Sequence, residues 1–179
     1  MKKNAWLSII LCITLLIHVI YQAAAYIMFF YAPLASKILG YAVVVPMIFH
    51  AFLSMLSIFV LHDSKTVLYK TSNIGTCVQR ISGIIGGVLL PIHILSFMIL
   101  SQSVGSYVFY LTESSQILFY AAIFAHIAVS FSKAFVTLGI LENPRKKRFI
   151  DRLLWVVCIF LFVIMCVLII RTHRIIFGI

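Results

Sequence analysis

Charge is scarce in this chain of 179 residues: only 10% of it is Asp, Glu, Lys or Arg, while 64% is hydrophobic. A soluble domain carries roughly a quarter charged residues. A water-exposed surface cannot be built from so few charges over so large an apolar excess, which excludes a soluble enzyme and a disordered tail. Acidic residues are scarcest, four against fourteen Lys and Arg, giving a net charge of +10. In a soluble protein that balance would suggest nucleic acid as a partner. Here the cations sit at the ends of apolar runs with no aromatic-interleaved basic stripe, so they carry topology and not a nucleic-acid footprint. Cysteine is limited to Cys12, Cys77, Cys158 and Cys166, scattered with no C-x-x-C pair. They form neither a disulfide frame nor a zinc site and read as apolar filler and a loop thiol. No internal repeat or low-complexity segment is evident.

What the chain does have is hydropathy, a mean of +1.17. Hydropathy predicts an all-α membrane protein, a single transmembrane domain over residues 1–179 with helices at about 5–28, 38–61, 81–101, 116–141 and 152–172. Only helices and closed barrels satisfy backbone polar groups in lipid, and these runs are too long and too uniformly apolar for barrel strands. The breaks contain Tyr31, Pro33 and Lys37; the polar stretch His62 to Arg80; Gln102 to Ser115; and Glu142 to Arg148. Pro144 is expected to end the fourth helix near Asn143.

The cations orient the bundle. With the N-terminus cytoplasmic, the inner segments hold Lys2, Lys3, Lys65, Lys70, Arg80, Arg145, Lys146, Lys147, Arg148 and Arg152. The outer segments hold Lys37, Arg171 and Arg174, and Lys133 falls within the fourth helix. Ten against three predicts N-in, C-out. Lys2, Lys3, the apolar run and Ala23-Ala24-Ala25 imitate a cleaved secretory signal. The segment is read as a retained span because cleavage would remove His18.

Histidine is the informative residue. Of six, His18, His50, His93 and His126 fall near the middle of four different predicted helices, while His62 and His173 lie at helix ends and need no more than an interfacial position. Counted at 1.5 Å per residue from cytoplasmic-side cations, the four sit roughly 20–28 Å away from them. A polar side chain deep in hydrocarbon is costly and faces the bundle interior or a function. Two readings compete. One is an interhelical hydrogen bond, worth only about 0.6–2 kcal/mol. The other is metal ligation. No Asp or Glu lies inside any predicted span, where a proton- or cation-coupled transporter usually places them, and imidazoles without carboxylates suit iron in haem. With no C-x-x-C-H, such haem is held without covalent attachment. Four imidazoles make two bis-histidine haems with no open iron site, which leaves one-electron transfer through the membrane as the chemistry.

Small neighbours fit either reading. Gly86 precedes His93 by seven residues, with Gly83 and Gly87 beside it. They leave room for a porphyrin face, or let bare helices approach. Pro46 and Ser54 flank His50 by four residues each, and Ser130 follows His126 by four. Lys133, seven beyond His126, reaches a haem propionate or simply snorkels to the inner face.

Pro46-Met47-Ile48-Phe49-His50-Ala51, then Val78-Gln79-Arg80-Ile81-Ser82-Gly83-Ile84 and His93, then His126, Phe135-Val136-Thr137-Leu138-Gly139-Ile140 and Pro144-Arg145 together resemble a known family. It is the dihaem cytochrome b membrane anchor of succinate dehydrogenase and fumarate reductase, in its single-chain, five-helix form. The resemblance covers about His18 to Arg148. Its most specific element is Q-R-x-[ST]-G at a helix start, thirteen residues before a histidine. It implies two haem b groups, one held by His18 and His93 and the other, nearer the cytoplasm, by His50 and His126. It also implies a flavoprotein subunit with covalent FAD and an iron–sulfur subunit docked on the inner face. Menaquinone is then the electron acceptor in the bacterial cytoplasmic membrane, where the tricarboxylic acid cycle meets electron transport. Arg80 and Ser82 are expected at a haem propionate or quinone head group, Arg80 by forked, charge-assisted bonds, with Gly86 and Lys133 also facing the cofactor. The competing role for Arg80 is a helix-entry cation, and for Ser82 a local backbone bond. The basic run from Arg145 to Arg152 fits lipid headgroups.

The chain departs from the family in shorter loops after the first and third helices and in Phe124, where some relatives place a glutamate. A proton path through that position is not carried over. The chain has no flavin motif or iron–sulfur cysteine pattern, so oxidation of succinate is expected of its partners. A small transporter or assembly scaffold with structural histidines, and another haem-b quinone oxidoreductase, are the rival classes.

Overall fold

The computed structural model describes residues 2–28, 30, 32–59, 70–100 and 106–177. They form five helices, α1 (Lys2–Met28), α2 (Pro33–Phe59), α3 (Lys70–Leu100), α4 (Ser106–Thr137) and α5 (Pro144–Phe177), with no strand among the described residues. All five are long and apolar enough to cross a membrane, which makes this a multi-pass membrane protein in character. Tyr31, His62, Lys65 and the 60–61 tail of the second predicted span lie outside the described residues.

Helix ends differ from expectation for one reason. Hydropathy locates where a helix meets lipid, whereas backbone hydrogen bonding decides where it stops. So α3 starts at Lys70 and α4 at Ser106, through polar sequence that was expected to be loop. The Gln79–Gly83 segment, expected at a helix start, lies inside α3. Pro46 and Pro91 also sit inside helices, each removing one ladder donor.

The α4–α5 corner corrects the expectation for Pro144. Helix α4 stops at Thr137 because Gly139 adopts φ = +76°, a conformation that costs glycine nothing. The Ile140 N–H reaches the Phe135 carbonyl and the Gly139 N–H the Val136 carbonyl, both at 3.0 Å, the paired bonds of a Schellman end. Pro144 instead opens α5, where a missing N–H is harmless. Asn143 caps it, its Oδ1 accepting from the Arg145 N–H at 2.8 Å.

By internal packing the chain divides into two units, Met1–Lys70 with Ser130–Ile150, and Thr71–Val129 with Asp151–Ile179. In the first, α1 packs on α2, with Asn4 Nδ2 donating to Ser54 Oγ at 3.2 Å. In the second, α3 runs against α4. Small residues set that approach: a Cβ on Gly86 would lie 3.0 Å from Ile123 Cδ1, and one on Gly75 3.7 Å from Val129 Cγ1. Phe109, Phe119, Ala122, Phe124 and Ala128 of α4 are buried, as are Met165, Leu168 and Ile169 of α5. Large apolar side chains such as Ile13, Ile20, Val156 and Phe160 are exposed. Water would penalise that surface, but lipid does not.

Candidate functional site: the helix-borne histidines

His18, His50, His93 and His126 each lie on a separate helix, α1 to α4 in order, and each is half-buried. Three have hydrogen-bonding geometry that decides which ring nitrogen carries the proton.

His126 is the clearest case. Its Nδ1 lies 2.9 Å from the Gln79 backbone carbonyl of α3. A carbonyl can only accept, so Nδ1 carries the proton and the lone pair falls on Nε2. Ser82 Oγ is 3.4 Å from the same nitrogen. Its own proton goes to the Val78 carbonyl at 2.6 Å, so towards the ring it too accepts. A Cβ on Gly83 would lie 3.2 Å from both Nδ1 and Cε1 of His126. The glycine therefore clears the space into which the imidazole fits.

His93 is held by side chains. Its Nδ1 lies 2.6 Å from Oε1 of Gln116 on α4, and Gln116 is only 1% exposed. Phe119 stacks on the ring at 4.4 Å and 17°, and Tyr120 meets it edge-on at 5.9 Å. In the other unit, His50 Nδ1 is 3.3 Å from Ser8 Oγ of α1. That hydroxyl spends its proton on the Asn4 carbonyl at 2.8 Å, leaving the imidazole as donor. All three rings thus carry the proton on Nδ1 and the lone pair on Nε2. The Nδ1 of His18 is also buried.

The other expected site residues fall in different settings. Arg80 is exposed on α3. Ser82 is buried, and its hydroxyl serves its own helix and His126. Gly86 is buried against Ile123. Lys133 is half-buried on α4, its carbonyl accepting from Thr137 Oγ1 at 2.9 Å.

Glu113 lies inside α4, ahead of the span expected from 116, and His173 lies near the end of α5. They are hydrogen-bonded to each other, Nδ1 to Oε1, at 7% and 3% exposure. Both helices run beyond the expected spans, α4 beginning at Ser106 and not at 116, and α5 ending at Phe177 and not at 172. Glu113 Oε2 and the hydroxyl of Thr172 are buried with no hydrogen-bond partner among the described residues.

Gln116, Glu113 and Ser8 were missed by sequence reasoning. For the first two a signal existed, since a lone amide or carboxyl beside an apolar run is costly unless partnered. The Gln79 carbonyl had none, because every residue offers the same main-chain group whatever its side chain.

Among the described residues no three His, Cys, Asp or Glu side chains converge as a bare metal ion would need. A porphyrin asks less, supplying four of iron's ligands and leaving two to the chain. A haem-ligating imidazole donates its other ring N–H to a fixed acceptor, which sets the tautomer and orientation. His50, His93 and His126 fit that requirement. No family model, curated protein or solved structure matches the chain.

Proposed function

We propose that the chain is the dihaem cytochrome b anchor of a succinate:menaquinone oxidoreductase, a succinate dehydrogenase, lying N-in in a bacterial cytoplasmic membrane. The observation that carries the reading is the shared geometry of His50, His93 and His126, each with an acceptor at Nδ1. Each gives its Nδ1–H to an acceptor on a neighbouring helix and so holds its lone pair on Nε2, the atom that ligates iron. His18 completes the set of one imidazole per helix. Its pairing with His93, and of His50 with His126, is carried by the resemblance alone, as are the flavoprotein and iron–sulfur partners. Haem b in such sites supplies one-electron transfer with no open position for substrate. The chain's own part is to place the imidazoles, fix their tautomers, exclude water through the apolar surfaces of α3 and α4, and tether the catalytic subunits.

Reduced-minus-oxidised absorbance of the purified protein tests the reading. A low-spin haem-b spectrum at two haems per chain is expected, with reduction by succinate in membranes holding the whole complex. A folded, haem-free chain would end the proposal. Haem that succinate does not reduce would leave another haem-b quinone oxidoreductase in its place.

The Glu113–His173 pair favours a second reading. A carboxyl bonded to an imidazole between two candidate spanning helices is the kind of pair that a proton- or cation-coupled transporter carries. In that case the other histidines act as interhelical hydrogen bonds, and a haem-free chain that moves protons into vesicles would establish it.

A further inference from the structure

We propose that Gln116 is the positioning residue of His93, imposing its tautomer and, when the imidazole ligates iron, setting how strongly it donates. The second half rests on the haem reading above, whereas the first does not.

An amide in an apolar interior costs several kcal/mol unless its groups are bonded, so Gln116 is not filler. Its orientation follows from its neighbour. The Ser115 hydroxyl donates to the Thr112 carbonyl at 2.6 Å, which leaves Ser115 Oγ as an acceptor for Gln116 Nε2 at 3.5 Å. The amide oxygen is thereby turned to His93, 2.6 Å from Nδ1. Because that oxygen accepts and cannot donate, the imidazole proton must sit on Nδ1. Histidine in water favours the other tautomer, so the bond selects the rarer one. Phe119, stacked on the ring, keeps its plane while Gln116 fixes its rotation. A stronger acceptor at Nδ1 gives the ring more imidazolate character and makes Nε2 a more basic ligand. Gln116 therefore acts on the iron through His93 and touches no reacting atom itself.

The test uses the full chain as purified, with ¹⁵N-labelled histidine and the His93 resonance identified by its loss in His93→Asn. In haem-free protein, His93 is expected as the Nδ1–H tautomer, with Gln116→Leu shifting it to Nε2–H. In haem-loaded protein, Gln116→Glu is expected to lower the midpoint potential of one haem and Gln116→Leu to raise it, with the second haem unmoved. Opposite shifts from one position are not produced by a packing defect. If Gln116→Leu fails to fold, the Glu variant still decides by the sign of its shift, or, in haem-free protein, by keeping the Nδ1–H tautomer. A wild-type His93 protonated on Nε2, or a tautomer and potential unchanged in both variants, overturns the proposal. Absence of haem sinks the haem reading alone, since the tautomer still decides for Gln116.

Discussion

His93 and His126 face the same seam between α3 and α4 and reach the same protonation state by different means. His93 is held by a side-chain amide and a stacked phenyl ring, whereas His126 is held by a backbone carbonyl and a space cleared by Gly83. A support made of side chains can be removed by one substitution. A support made of backbone cannot, and fails only when something is added. The seam is therefore vulnerable to deletion at one end and to insertion at the other.

The largest expected effect comes from the most demanding side-chain support. Glu113→Leu removes the carboxyl bonded to buried His173 and should cost about 3 kcal/mol, the upper end for a lost buried polar partner. Thermal unfolding in detergent measures it, and a loss under 1 kcal/mol would break the rule that side-chain supports are fragile. Next is insertion. Gly83→Val places carbon where His126 lies 3.2 Å from a Cβ, an overpacking cost of about 1–3 kcal/mol. The His126 imidazole NMR signals should move while those of His93 stay. Deletion at the other end is similar or smaller. Gln116→Leu should cost about 1–2 kcal/mol and disturb His93 with His126 unchanged. The smallest effect sharpens the contrast most. Gln79→Ala keeps the carbonyl that holds His126, and stability should stay within about 0.5 kcal/mol of wild type. A large loss there would show that the Gln79 side chain, not its backbone, is the support.

How much of this was legible follows the same division. Five helices could be read from hydropathy because lipid demands unbroken apolar runs, and the four central histidines could be read because polar residues there are rare. Helix ends were not legible where polar sequence stays helical, as from Lys70 to Arg80 and from Ser106 to Ser115. Glu113 sits in the second of those segments, and His173 in the part of α5 that runs past 172. The stop of α4 was assigned to Pro144, whose restriction on its predecessor is strong, when Gly139 had already ended the helix. Gln116 could have been suspected as an isolated amide, and Gly83 as a small residue, but which ring each serves depends on the stagger of α3 along α4. No residue pattern within a single helix encodes that stagger. The Gln79 carbonyl was beyond reach, since a main-chain group has no letter.

The corner between α4 and α5 carries a consequence for biosynthesis. Among the described residues, the hydrogen bonds that shape its two helix ends run between Ala134 and Lys147, so the turn is closed by local contacts. This bend can set as soon as the ribosome releases it, before earlier segments have found one another. The cations just beyond it are of the kind that resists crossing a bilayer, so a closed turn and its charge anchor leave the ribosome together.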